Sequence, residues 1–205
     1  MTSTRGLTAK GAATRTRIVE TAADQVLARG VGGTSLDDVR LATRTSKSQL
    51  FHYFPGGKHE LVRAIVACQG ERVLDAQRPA LDTLDSWEAW AAWRDRVIAH
   101  YTRVDGVLGC PIGSLASELA AVDPVLRDDL AAYFRRWSEL LAAGVARMRE
   151  RGLLDDGADP EAFATELLAA IEGGLLLSQT VGTLQPLEVA LDGALAHLRT
   201  HAVGP

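Results

Sequence analysis

Apolar residues along this 205-residue chain recur at three- and four-residue spacing and nowhere alternate with period two over a useful length. The pattern therefore predicts helices and disfavours a sheet. Residues 1–12 lack periodicity and are expected to form a flexible arm carrying Arg5 and Lys10. From Thr14, the positions Ile18, Val19, Ala22, Ala23, Val26 and Leu27 mark a first helix. Gly30 ends it, because glycine accepts the left-handed conformation after a last turn and Val31 beyond it supplies an apolar contact. Thr34 or Ser35 caps a second helix running to about Thr43, with Asp37 and Asp38 in the first turn, where the helix dipole favours acids. Ser46 caps a third, which ends near Phe51-His52-Tyr53-Phe54 before Pro55-Gly56-Gly57 breaks the chain. The rest predicts longer helices at about 58–78, 85–103, 111–121, 124–151, 159–182 and 186–201. The expected fold is all-α, with about nine helices.

A short helix, a tight turn and a second short helix opening on polar residues form the helix-turn-helix layout. In it the second helix enters the major groove and its N-terminal side chains reach base edges. Here that helix reads Ser46-Lys47-Ser48-Gln49-Leu50-Phe51-His52-Tyr53-Phe54. A lysine can read guanine and a glutamine adenine, while Leu50 and Phe54, four apart, face inward.

Charge at first opposes this reading. Hydrophobic residues at 47% and charged residues at 23% are near the globular average and exclude a disordered chain, but the net charge of −4 is not that of a typical nucleic-acid binder. The distribution resolves the conflict. Residues 1–60 hold nine Lys and Arg against five Asp and Glu, net +4, while residues 61–205 hold thirteen against twenty-one, net −8. All three lysines, Lys10, Lys47 and Lys58, lie in the first sixty. Two cysteines, Cys68 and Cys110, make neither a C-x-x-C pair nor a disulfide framework, which fits a reducing cytoplasm. No apolar run reaches the length of about 18 residues that a membrane span needs, and no Asn is present to read adenine.

The runs Thr34-Ser35-Leu36-Asp37-Asp38-Val39, Thr45-Ser46-Lys47-Ser48-Gln49-Leu50-Phe51-His52-Tyr53-Phe54 and Lys58-x-Glu60-Leu61 resemble the DNA-binding domain of TetR-family transcriptional repressors over residues 14–65. The segment Gly109-Cys110-Pro111-Ile112-Gly113-Ser114-Leu115 is similar to one in some drug-efflux-type members. The resemblance implies a homodimer with an N-terminal reading head, residues 1–57, and an effector-binding and dimerisation domain, residues 58–205. Two heads would read a palindromic operator in major grooves about 34–36 Å apart. By position, Thr34 or Ser35 would hold a phosphate at a helix N-terminus, and Lys47, Ser48 and Gln49, following Ser46, would approach bases. His52, Tyr53 and Lys58 would touch phosphates, which position the protein without specifying sequence. Three residues depart from the family pattern. Arg44 stands where glycine is usual, at a cost of about 1 kcal/mol if the backbone is left-handed, so either the turn differs or the arginine reaches a phosphate. Phe51 replaces a common tyrosine, and the Pro55-Gly56-Gly57-Lys58 turn is one residue longer than usual. Arg15 and Arg17, with Arg5 and Lys10, are either DNA contacts or part of a solvated tail.

In the C-terminal part Trp87, Trp90 and Trp93 lie three apart, and Tyr133, Phe134 and Trp137 share another predicted helix. Aromatic residues at such spacing are either core or the wall of an apolar pocket. The candidates for a small-molecule site are Trp90, Trp93, Cys110, Tyr133, Trp137 and Glu172. Glu172 interrupts an apolar stretch and must meet a cationic ligand or reach solvent, because an unpaired buried charge is costly. Gly173-Gly174 beside it implies close backbone approach or a kink. Leu187, Leu191, Leu195 and Leu198 form a second apolar stripe, and the last two helices are expected to pair with a second copy. The phosphate-binding, dinucleotide, nucleophile-elbow and H-E-x-x-H motifs are absent, so an enzyme is not expected, and no cofactor or metal is implied. His197 and His201, four apart, form a solvated pair or share a metal. These features predict a ligand-responsive repressor in the cytoplasm, bound to double-stranded DNA and released by a hydrophobic or aromatic effector. The alternative is a helical small-molecule carrier or enzyme whose head does not bind DNA.

Overall fold

The computed structural model describes residues 7–103, 106–107 and 109–204. Among them nine α-helices carry the fold: α1 (Ala9–Arg29), α2 (Leu36–Thr43), α3 (Lys47–Tyr53), α4 (Gly57–Gln77), α5 (Trp87–Tyr101), α6 (Pro111–Leu119), α7 (Pro124–Glu150), α8 (Pro160–Val181) and α9 (Gln185–Arg199). The chain gathers into two compact units, Met1–Gly70 with Ser114–Leu130, and Glu71–Gly113 with Ala131–Pro205.

Three local features depart from the expectation. Helix α1 begins at Ala9, several residues before Thr14, with the Thr8 hydroxyl accepting the Gly11 N–H at 3.2 Å. Its first turns bury no side chain, so no apolar stripe announced them. Arg5 lies outside the described residues. Strands β1 (Thr102–Arg103) and β2 (Gly106–Val107) form an antiparallel pair, with Thr102 opposite Val107. Two residues per strand are too few for a period-two signal. Finally, a turn of 3₁₀ helix, Ala80–Thr83, follows Pro79.

The first unit packs Ile18, Val19, Ala22, Ala23 and Val26 of α1, Val39 of α2, Leu50 of α3 and Leu61, Val62, Ile65 and Val66 of α4 into a buried core. Phe54, after α3, is buried too, so Leu50 and Phe54 both face inward.

In the second unit, α8 and α9 approach closely. A side chain at Gly174 would place its Cβ 2.8 Å from the Leu187 Cα, whereas nothing stands near Gly173. Of the expected glycine pair, one therefore serves close packing. The Leu187 N–H donates to the Ser178 Oγ at 3.1 Å. Three further helices meet at Gln77, which is 2% exposed. Its Oε1 accepts the indole N–H groups of Trp93 (2.9 Å) from α5 and Trp137 (3.1 Å) from α7, and its Nε2 donates to the Val73 carbonyl at 3.0 Å. Both lone pairs of one amide oxygen are used, which lets two large rings enter a dry core without orphaned donors. Trp90 then packs edge-on against Trp93, with ring centroids 5.5 Å apart.

Replacing Gln77 by leucine strands two buried indole N–H groups, each costing about 1–3 kcal/mol. The Gln77→Leu protein is expected to melt several degrees lower by calorimetry, and an unchanged melting temperature would contradict the shared-acceptor account.

Candidate nucleic-acid interface

Helices of eight and seven residues, α2 and α3, are held by their caps. At α2 the Ser35 Oγ accepts the Asp38 N–H at 3.1 Å, while the Asp38 carboxylate accepts the Ser35 N–H at 2.9 Å and its hydroxyl at 2.6 Å. These bonds, the hydroxyl's first, hold the Asp38 carboxyl below its ordinary value. Thr34 is buried, and its hydroxyl donates to the Gly30 carbonyl at 3.0 Å. Of the two cap candidates Ser35 is the cap, and both hydroxyls are bonded within the unit.

At α3 the same reciprocal arrangement recurs. The Ser46 Oγ accepts the Gln49 N–H and the Gln49 Oε1 accepts the Ser46 N–H, both at 3.1 Å. Gln49 thus closes a capping box, which leaves its Nε2 as the amide atom free to meet a base. The Ser-x-x-Gln spacing carried this signal, which reading Gln49 only as a base contact overlooked. Lys47, Ser48, Gln49 and His52 are exposed, and Tyr53 is half-buried with its ring 5.1 Å from that of His52. Arg44 adopts φ 52°, ψ 40°, and is the only described non-glycine residue with positive φ. The turn therefore keeps its left-handed geometry, with an exposed arginine where glycine is usual. Its N–H still closes α2 onto the Arg40 and Leu41 carbonyls.

Other cations turn to the protein itself. The Lys58 Nζ donates to the Val31 carbonyl at 2.7 Å, Arg17 donates to the Thr43 carbonyl, and the Arg15 guanidinium lies 5.1 Å from the Phe54 ring centroid. Nothing in the sequence marked the Arg17 bond, which joins residues 26 positions apart. The exposed set, Arg44, Ser46, Lys47, Ser48, Gln49 and His52, combines cations for phosphate oxygens with donors for base edges.

The small-molecule candidates fall in separate places of the second unit. Trp93 and Trp137 meet at Gln77, Trp90 packs on Trp93, and Tyr133 is half-buried on α7. Cys110 and Glu172 come together beside Tyr101, which follows Trp87, Trp90 and Trp93 on α5. The Gly113 N–H donates to the Cys110 Sγ at 3.4 Å, and a Cβ at Gly113 would lie 2.0 Å from the Glu172 Oε2. Only glycine leaves room for that carboxylate. Burial first, then Glu172, pushes the Cys110 thiol well above its ordinary value, and burial raises Glu172 and Tyr101 likewise. Among the described residues the Tyr101 hydroxyl and the Glu172 Oε1 are buried without a hydrogen-bond partner, as are the Gln25 Oε1, the Trp90 Nε1 and guanidinium nitrogens of Arg147 and Arg149. His197 and His201 each turn to a different carboxylate, Glu166 at 2.8 Å and Asp155 at 2.9 Å.

Residues 18–65 match the family described as bacterial regulatory proteins, tetR family, and residues 87–194 match the tetracyclin repressor-like C-terminal domain. The uncharacterized HTH-type transcriptional regulator YxaF of Bacillus subtilis (strain 168) is 28% identical over 84% of this chain and 88% of its own length. The HTH-type transcriptional repressor DhaR of Mycobacterium sp. (strain GP1) is 24% identical over 85% and 86%. A TetR transcriptional regulator from Chloroflexus aurantiacus J-10-FL superposes with a TM-score of 0.82 at 25% identity, covering 95% of this chain and 98% of its own. These relatives are regulators, not enzymes. With the capped helix pair and the exposed basic start of α3, the matches make this chain a member of the TetR family of bacterial transcriptional regulators, with a helix-turn-helix DNA-binding domain.

Proposed function

We propose that this regulator is a repressor that binds a palindromic operator as a homodimer and is released by a small organic effector. Residues 1–57 form the reading head and residues 58–205 the effector and dimerisation part. The observation that carries the reading is the split of α3 into an exposed polar start, Lys47, Ser48 and Gln49, and a buried anchor, Leu50 with Phe54 after the helix. Such a helix can enter a major groove without surrendering core contacts. In this assignment Lys47, Ser48 and Gln49 approach bases, while Arg44, His52, Tyr53 and the N-terminus of α2 at Ser35 meet phosphates.

The outer side of the last two helices supports the homodimer. Leu176, Leu177 and Val181 of α8 and Val189 of α9 are each 57–65% exposed, and nothing lies within 4 Å of a Cβ at Gly173 or Gly193. A second copy of the same surface is the simplest cover for an apolar strip built on one helix pair.

The effector site we assign to Tyr101, Cys110 and Glu172. Two unpartnered buried oxygens favour a ligand that brings a hydrogen-bond donor or a positive charge to the carboxylate. α6 continues from Gly113, beside the cluster, directly into residues of the first unit, and is one of three helices, with α4 and α7, that run from one unit into the other. A ligand that favours a dimer with misplaced heads lowers operator affinity by the same coupling, typically about 1–3 kcal/mol.

Lys47→Ala and Gln49→Ala should each weaken binding to a duplex selected from a random pool by about tenfold or more, in fluorescence anisotropy at fixed salt. Only Gln49→Ala should also lower the melting temperature, since it removes half of a cap worth about 1 kcal/mol. Equal affinity of both variants and wild type would defeat the assignment of α3. Leu176→Glu combined with Leu177→Glu should give a monomer by light scattering at micromolar concentration, and an intact dimer would move the interface elsewhere. Burial holds the Glu172 carboxyl above its ordinary 4.5, so the folded chain binds that proton more tightly than the unfolded one. Stability is therefore lost as pH rises from about 4.5 through the raised value. Glu172→Gln should melt higher than wild type near pH 8 and lose that advantage near pH 4, whereas a pH-independent difference would contradict the buried carboxyl.

A further inference from the structure

The α1–α2 turn, Gly30-Val31-Gly32-Gly33, contains three glycines in four residues, and so has the most backbone freedom to lose on folding. It also carries backbone donors that no helix satisfies. Gly30 opens the turn at φ 73° while its own N–H closes α1 onto the Val26 carbonyl at 2.8 Å. The next two N–H groups point at a single carboxylate. Val31 donates to the Glu118 Oε2 at 2.9 Å and Gly32 to the Glu118 Oε1 at 2.7 Å. Two successive N–H groups that converge on one point form a cradle for an anion, and here a side chain of α6, 86 and 87 positions away, fills it.

The opposite side of the turn is held by a cation. The Val31 carbonyl accepts from the Lys58 Nζ at 2.7 Å, and the Thr34 hydroxyl ties back to the Gly30 carbonyl at 3.0 Å. Ser35 follows at once and caps α2. The turn is therefore clamped between a carboxylate on its N–H groups and an ammonium on its carbonyl, two residues before α2 begins. A Cβ at Gly30 would come within 3.2 Å of the Glu118 Oε2, so a side chain there would crowd the carboxylate as well as strain the positive φ.

We propose that Glu118 is a positioning residue for DNA binding, whose carboxylate fixes the α1–α2 turn and thereby the placement of α2 and α3. It touches no DNA in this role. Charge-assisted bonds to backbone N–H groups are stronger than neutral ones, and two of them offset the ordering cost of a glycine-rich turn. Without them the helix pair keeps its core and its caps but samples several orientations, so each binding event selects one and apparent affinity falls by the competent fraction.

The proposal rests on the helix-turn-helix assignment and not on the effector site, and its test separates the two. Full-length wild type, Glu118→Gln and Glu118→Ala are compared by hydrogen exchange and by anisotropy against the duplex selected by wild type. Glu118→Ala should lose protection at Val31 and Gly32 and through α2 and α3, leave residues 131–205 unchanged, and bind the duplex about tenfold more weakly. Glu118→Gln, with one acceptor oxygen, should fall between. Sodium formate should restore part of the affinity of Glu118→Ala relative to sodium chloride at equal ionic strength, because a free carboxylate can refill the cradle. A merely structural loss would not respond to formate. Unchanged protection of α2 and α3, or wild-type affinity in Glu118→Ala, would overturn the proposal. If wild type selects no duplex, the operator reading fails and the exchange data alone still decide the role of Glu118.

Discussion

Helices as short as α2 and α3 do not persist in water on their own hydrogen bonds, because nucleation costs more than one or two turns return. The recognition surface of this regulator therefore depends on what holds those helices at their ends. Two reciprocal caps, Ser35 with Asp38 and Ser46 with Gln49, satisfy their first donors, and Leu50 and Phe54 anchor α3 and its end in the core below. The polar residues that face outward at the start of α3 can then be chosen for DNA, since little of the folding rests on them. Gln49 is the exception, because one side chain serves both purposes. A base that attracts its Oε1 must compete with the Ser46 N–H, which tempers the value of glutamine as an adenine reader at this position.

The second unit treats polar groups in two contrasting ways. At Gln77 every lone pair is matched, and two indoles and an amide become part of a dry interior. At Tyr101, Cys110 and Glu172 the matching is left incomplete, although burial there raises the cost of each orphaned oxygen. The Trp90 Nε1, packed against Trp93, is also left without a partner, so what sets the second cluster apart is a buried carboxyl gathered with a thiol and a phenol. That contrast is the physical ground for separating core from candidate effector site, and it divides residues that sequence spacing had placed together. Trp93 and Trp137 go with the core, Cys110 and Glu172 with the open cluster.

Element order and type were legible because apolar periodicity and cap residues act locally, and Ser35 and Ser46 cap the helices whose starts they mark. The start of α1 was not legible, since a helix turn that buries nothing leaves no pattern. Long-range backbone contacts were equally silent. The Lys58 ammonium donates to a carbonyl 27 residues earlier, and no composition or spacing rule reports which backbone groups a folded turn leaves open. Glu118 escaped notice for the same reason. Glu172 was visible because it broke an apolar run, but the glycine that makes room for it, Gly113, could be recognised only once the two were seen to meet.

The distribution of aromatic rings has an optical consequence. All four tryptophans, Trp87, Trp90, Trp93 and Trp137, belong to the second unit, whereas the first contains tyrosine and phenylalanine only. Red-edge excitation therefore lights one half of the molecule and leaves the other dark. Because Trp93 and Trp137 share one hydrogen-bond acceptor, their emission reports on a single point where three helices join. The unlabelled protein thus carries its own spectroscopic boundary, across which events in the second unit can be followed without tryptophan emission from the DNA-binding domain.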